Sequence, residues 1–238
     1  MVKQTAVAGP MQRAEGVRLH SEMGDAGELI WAEVTGSEWI GRKRFPSWRG
    51  TPPIDTVDHA HGIGYQVKTI TNPDTKVNFS GAHREVVRRK AGGGNVYVGS
   101  PEDKLERIRA WLARGNPWGY LHGWLVVMLL DEEANRVAVY SLPDVRSARI
   151  DDMVYLGVID NESGTFHVRA DAPREALPPN VEPGRVFTLR HRFPRIPKHL
   201  RSSVMAAEEE DEAVGRSPYW FRRPGVRVRQ HARRRSRP

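Results

Sequence analysis

The stretch IDTVDHAHGIGYQVKTI, residues 54–70, constrains the fold more than any other part of the chain. Ile54–Val57 and Ile63–Ile70 are two strand-like runs, and the turn-rich DHAHGIG between them predicts that they pair as a hairpin. Side chains alternate along a strand, so Gln66 and Lys68 share one face while Tyr65, Val67 and Thr69 share the other. The hairpin sets Asp55 opposite Gln66 and Lys68. A carboxylate, an amide carbonyl and an ammonium then meet in one small volume.

Around this hairpin the chain alternates between helical and extended patterns. Residues 12–35 read as one or two helices, interrupted at Gly24 and Gly27 and stopped at Gly36. SEWIGRKRF reads as a short strand. AHREVVRRK reads as a short basic helix ended by AGGG, and NVYVG as a strand. SPEDKLERIRAWLARGNP is the clearest helix. Ser100 caps it, Pro101 occupies its first turn, and Leu105, Ile108, Trp111 and Leu112 form one apolar face. GWLVVMLL and NRVAVYSL predict a second hairpin around DEEA. MVYLGVI, TFHVRA and RVFTLRH predict further strands. The expected class is α/β or α+β, with a mixed central sheet flanked by helices. The expected organisation is a core over 1–145, a small β extension over 146–205, and an acidic run with a basic flexible tail over 206–238.

Charge separates the ends of the chain. Its 238 residues carry a net +8, yet 215–238 hold nine Arg and no acid, while the EEEDE run Glu208–Glu212 carries −5. Such a tail suits a polyanion, most simply DNA or RNA, and Arg222, Arg223, Arg233, Arg234 and Arg235 are its candidate contacts. With 39% hydrophobic residues and seven Trp, the chain can bury a core. The absence of Cys excludes disulfides and thiolate metal sites and fits a cytoplasmic location. No secretion signal is expected, since the N-terminus lacks a continuous apolar region. No membrane span is expected either: the longest apolar run, Trp124–Leu130, is too short to cross a bilayer.

The oxygen ligands at Asp55 and Gln66 suit Mg²⁺, or Mn²⁺ in its place, and the Lys68 ammonium suits a developing negative charge. Together these are the components of phosphodiester hydrolysis. The same residues resemble the motif of the PD-(D/E)xK, or restriction-endonuclease-like, nuclease superfamily. Ile54-Asp55 stands for its "PD" and Gln66-Val67-Lys68 for its "(D/E)xK". The variant with Gln in place of the acid is similar to Mrr-type restriction enzymes, and the chain is also similar to archaeal Holliday-junction resolvases. The resemblance covers roughly residues 15–142 and includes the helix KLERIRAWLARG followed by the strand GWLVVMLL. It implies Asp55 as the principal metal ligand, Gln66 as a ligand through its side-chain carbonyl, Val67 through its backbone carbonyl, and Lys68 as the group that positions the attacking water. A neutral Gln66 departs from the commoner pattern and weakens the expected hold on a metal. Pro53 precedes Ile54 rather than Asp55, a smaller departure.

A helical acid completes the resemblance, and Glu22, Glu28 and Glu33 are its candidates. Periodicity places Glu33 with Leu29 and Ile30, whereas Gly27-Glu28 resembles the family's helix start; Glu28 is preferred. Asp58 is an alternative to Asp55. His59 and His61 alternate on one face if extended, but without a third neutral ligand they read as turn residues. Arg84, Arg88, Arg89 and Lys90 form a basic cluster after the site, a candidate phosphate contact. The leading expectation is a Mg²⁺-dependent endodeoxyribonuclease. The alternatives are a non-cleaving nucleic-acid-binding protein on the same fold, or a phage or nucleoprotein structural component. DNA is the expected partner. A homodimer and a protein partner for the tail are both compatible with the sequence.

Overall fold

The computed structural model describes residues 10–40, 54–74, 86–89, 95–97, 122–144 and 148–214. The chain enters through one long helix, α1 (Pro10–Thr35). Pro10 sits at its first position, where a missing N–H costs nothing. Leu19, Met23, Ile30, Trp31 and Val34 form its buried stripe. Gly36, at φ +68°, ends the helix, and the Ser37 amide reaches back to the Ala32 carbonyl at 3.0 Å. Gly24 and Gly27 do not interrupt α1. At Gly27 the helix lies so close to the strand below that a Cβ would collide with Thr69 Oγ1.

Eight strands form one mixed sheet in the order β1-β2-β3-β6-β7-β8-β9-β10. They are β1 (Glu38–Trp39), β2 (Thr56–Asp58), β3 (Ile63–Ile70), β6 (His122–Leu130), β7 (Arg136–Leu142), β8 (Val154–Asp160), β9 (Thr165–Val168) and β10 (Val186–Thr188). β1, β2 and β3 form an antiparallel meander in which Trp39 faces Thr56 and Thr56 faces Tyr65. β3 and β6 run parallel, with Gln66 beside Leu125 and Lys68 beside Val127. Parallel neighbours need a long crossover, which residues 71–121 supply. The helix expected over 100–116 falls in this crossover and lies outside the described residues.

Both expected hairpins form. The basic helix expected over 82–90 does not: Val86–Arg89 (β4) is a strand paired antiparallel with Asn95–Tyr97 (β5). Val86 and Val87 favour extended backbone, and the basic residues beside them do not outweigh that preference. The strands expected as a β extension continue the same sheet, because β8 pairs directly with β7 and carries β9 and β10 beyond it.

The first part of the flexible tail expected from residue 206 is helical instead. Arg201–Val214 is a helix, α2, which packs on α1 through Val204 and Ala207. Gly16 admits this contact, since a Cβ there would collide with Ser203. The Ala- and Glu-rich composition of α2 favours a helix once its apolar side has a partner. The acidic run Glu208–Glu212 therefore belongs to α2. Residues 215–238 lie outside the described residues.

Two apolar cores flank the sheet. One joins α1 to Tyr65, Val67, Trp124, Val126 and Met128, and continues under β8–β10. The other covers Val57, Ile70, Leu125 and Val127 with Ile40, Ile54, Ile150 and Met153. Among the described residues, no helix is long and apolar enough to cross a membrane.

Candidate functional site

The candidate site lies where β2 parts from β3. The last ladder contact before the gap is the Asp55 amide donating to the Tyr65 carbonyl at 2.8 Å. Beyond it the side chain of Asp55 takes over from the backbone. Its Oδ2 accepts the Val67 amide at 2.8 Å and also accepts from Gln66 Nε2. The carboxylate thus replaces a missing strand partner, which fixes its position without a long loop. Both donors converge on Oδ2, and no described residue donates to Oδ1.

Gln66 is 2% exposed, and its Oε1 has no hydrogen-bond partner although the atom is buried. Its amide is anchored by nitrogen to Asp55, with the oxygen left over. A buried carbonyl without a donor costs about 1–3 kcal/mol, so such an atom calls for an explanation.

α1 supplies the helical acid. Glu28 Oε2 accepts from Trp39 Nε1 at 2.8 Å, which ties the helix to β1. Burial, and next the Asp55 carboxylate, push the Glu28 carboxyl well above the usual carboxylate range, against the Trp39 hydrogen bond. Burial likewise pushes Asp55 up to about 6, against the Lys68 ammonium and the Val67 amide. Asp25, one turn before Glu28 on α1, raises both. Asp25, Glu28, Asp55 and Lys68 therefore lie in one electrostatic field. Close placement of Gly27 against Thr69 brings this turn of α1 down onto the sheet.

The expected residues thus divide clearly. Asp55 binds Gln66 and the Val67 amide, and its carboxyl feels the charge of Lys68 and is felt by Glu28. Glu33 does not join them: its carboxylate accepts the Arg190 amide at 2.8 and 3.0 Å and pairs with His191 Nδ1 at 3.2 Å. Burial opposes its ionisation, but these donors hold its carboxyl below the usual range. Glu22 pairs with Arg18 on the exposed side of α1. Asp58 closes the β2–β3 turn instead, accepting the His61 amide at 3.1 Å and His61 Nδ1 at 2.8 Å. His59 pairs with Glu38 at 2.9 Å. Arg88 and Arg89 fall on β4, while Arg84, Lys90 and the tail residues Arg222, Arg223, Arg233, Arg234 and Arg235 lie outside the described residues.

Two contributors escape the sequence. Asp25 is visible only through its spacing of three from Glu28, and Trp39 through nothing local. Among the described residues, no three His, Asp or Glu side chains gather closely enough to hold a metal by themselves. A cation here would rest on Asp55, Glu28, the Gln66 carbonyl and retained waters, a set that suits Mg²⁺. The buried Asp55, the half-buried Glu28 and the orphaned oxygen fit such a group, since a divalent cation would offset all three costs at once.

No family model matches this chain, and neither a curated protein nor a solved structure matches it.

Proposed function

We propose that the chain is a metal-dependent endodeoxyribonuclease of the PD-(D/E)xK type. The observation that carries this reading is the orphaned oxygen of Gln66, whose amide is bonded to the buried and elevated Asp55 carboxyl, in a field shared with the half-buried, elevated Glu28. A structural cluster would satisfy its own carbonyl; a cation site keeps one in reserve. The element order supports the same reading. The long helix bearing Glu28 precedes the hairpin that carries Asp55 and Gln66-Val67-Lys68, and a crossover then leads to the parallel strand β6. That is the order the resemblance implies for a restriction-endonuclease-like core.

In this reading Asp55 and Glu28 would hold Mg²⁺ or Mn²⁺ together with the Gln66 side-chain carbonyl and the Val67 backbone carbonyl. Such an ion would supply a Lewis acid for the phosphodiester and lower the pKa of a water. Val67 and Gln66 orient Asp55 through their hydrogen bonds. Lys68, on the same strand face as Gln66, offers a positive charge to the pentavalent phosphate and orients the water.

One observation favours a second reading. Gln66 Nε2 donates directly to Asp55, so the amide itself neutralises part of what a cation would. A non-cleaving nucleic-acid-binding protein, or a nucleoprotein structural component, would use the same fold in this way. Incubation with plasmid, single-stranded and branched DNA separates the readings. The nuclease reading expects cleavage with Mg²⁺ or Mn²⁺ and none in EDTA. It expects Asp55→Asn and Lys68→Ala to lose about 1,000-fold in rate, roughly 4 kcal/mol of barrier. Full activity in Asp55→Asn rejects the proposed site, and DNA binding without cleavage under every condition favours the second reading.

A further inference from the structure

The basic excess of the protein is not confined to its tail. Residues 183–207 contain Arg185, Arg190, Arg192, Arg195, Lys198 and Arg201 and no acid, whereas residues 1–182 carry a net −2. Within this stretch residues 189–197 form neither helix nor strand, run into the 3-10 turn Lys198–Leu200, and lie against α1. Leu189, Phe193, Ile196 and Leu200 are buried at 2–6% exposure, and Arg190, Arg195 and Lys198 between them are exposed.

The segment is held firmly. Leu189 donates its amide to the Gly164 carbonyl at 2.8 Å. Glu33 accepts the Arg190 amide. Asn161 brackets Phe193, accepting its amide at 2.8 Å and donating to its carbonyl at 3.0 Å. Arg192 is consumed locally, since its guanidinium donates to the Leu189 and His191 carbonyls. Three cations elsewhere in the body are paired with acids: Arg169 with Asp171, Arg18 with Glu22, and Arg201 with Glu132 and Glu133. Among the described residues, no acid pairs with the side chains of Arg190, Arg195 or Lys198.

The segment also adjoins the candidate site. The Phe193 ring lies 3.6 Å from the place a Gly27 Cβ would take, one residue before Glu28. A cavity of about 430 Å³ separates Asp25 and Leu29 of α1 from His191–Pro194. From Arg190 to Lys198 an extended chain reaches at most about 28 Å. That length covers several phosphates of one DNA strand, which rise about 3.4 Å each along the axis.

We propose that the segment from Arg190 to Lys198 is a backbone-binding strap, which holds the phosphates of duplex DNA alongside α1 through Arg190, Arg195 and Lys198. This rests on the nuclease reading for the kind of polyanion, but not for cleavage. The fixed backbone spares the segment the cost of ordering on binding, so only the side chains of the three exposed cations lose freedom to a phosphate. Arg offers a phosphate two parallel hydrogen bonds, and Lys a point charge.

The test is a salt titration of duplex binding by the full chain in EDTA, read by fluorescence anisotropy of a labelled duplex. The triple variant Arg190→Ala, Arg195→Ala, Lys198→Ala should flatten the slope of log K against log salt by about 2.7, at about 0.9 for each phosphate released. The triple variant Arg190→Lys, Arg195→Lys, Lys198→Arg should keep the wild-type slope, and so should Arg18→Ala, whose charge is already paired. An unchanged slope in the alanine variant overturns the strap even if the protein cleaves DNA. A flattened slope in a protein that never cleaves keeps the strap and rejects the nuclease. A wild type that binds no duplex, but binds acidic polypeptide through these residues, overturns the DNA assignment.

Discussion

The two ends of the sheet treat their buried polar groups in opposite ways. At the far end, around β7–β10, Asn161 is matched at both amide atoms by Phe193, and Ser141 Oγ donates to the Ala176 carbonyl at 2.7 Å. At the near end, under α1 and along β2 and β3, Trp31 Nε1, Thr56 Oγ1, Tyr65 Oη, Gln66 Oε1 and Thr69 Oγ1 are all buried without a partner. Orphaned buried atoms are scarce in folded proteins. Arg201 Nε and Ser203 Oγ, where α2 meets α1, are further orphans, but the five at the near end lie beside two acids forced upward in pKa. The far end holds the fold, and the near end carries strain that a ligand can relieve.

The largest test of this contrast is the pH dependence of stability without metal. Burial raises Asp55 from an ordinary carboxylate value to about 6, so the folded protein binds a proton that the unfolded chain releases. Stability therefore falls as pH rises from about 4 to 6, and Asp55 alone contributes about 3 kcal/mol to that fall. Glu28 acts in the same direction. Asp160, held low by the Ser163 amide, acts oppositely at the far end, where stability is lost as pH falls. Denaturant midpoints measured from pH 4 to 7 should show the wild type losing stability relative to Asp55→Asn. Parallel profiles would mean that Asp55 is not strained.

A mutation at the far end should cost stability without touching function. Ser141→Ala leaves the Ala176 carbonyl without its donor, at about 1–2 kcal/mol. Any rate of DNA cleavage per folded molecule should be unchanged. Were cleavage to fall while stability held, the division of the sheet into a structural and a functional end would be wrong.

The smallest effect belongs to the near end. Thr56→Val keeps the shape of a fully buried strand residue and removes a hydroxyl that bonds to nothing. It should be neutral or stabilising by up to about 1 kcal/mol, since no hydrogen bond is lost. A loss of 2 kcal/mol or more would show that a partner completes the Thr56 hydroxyl in solution, and would weaken the contrast.

Much of the near end was legible in the residues themselves. Alternation in Tyr65–Thr69 and the turn signals before it placed Asp55 against Gln66 without any long-range information. Glu28 needed a choice among three helix acids, and periodicity alone pointed to Glu33. Tertiary contacts set the two apart, since Trp39 takes Glu28 and the Arg190 amide takes Glu33. Pairing of β8 onto β7 was not legible, as strand patterns do not name their partners. The helical end of the chain was misjudged for another reason. Its charges suggested a solvated tail, yet Leu200, Val204 and Ala207 already carried a helical spacing. The strap beside α1 has no period at all: apolar anchors and cations alternate irregularly, and its backbone is fixed by side chains far away in sequence.

A cation held by Asp55, Glu28 and the Gln66 oxygen should be seen by calorimetric titration of the metal-free protein with Mn²⁺. Saturable binding by the wild type is expected, lost in Asp55→Asn, with both proteins equally folded by circular dichroism. Binding of equal strength in the two proteins, or none in the wild type, would contradict such a site.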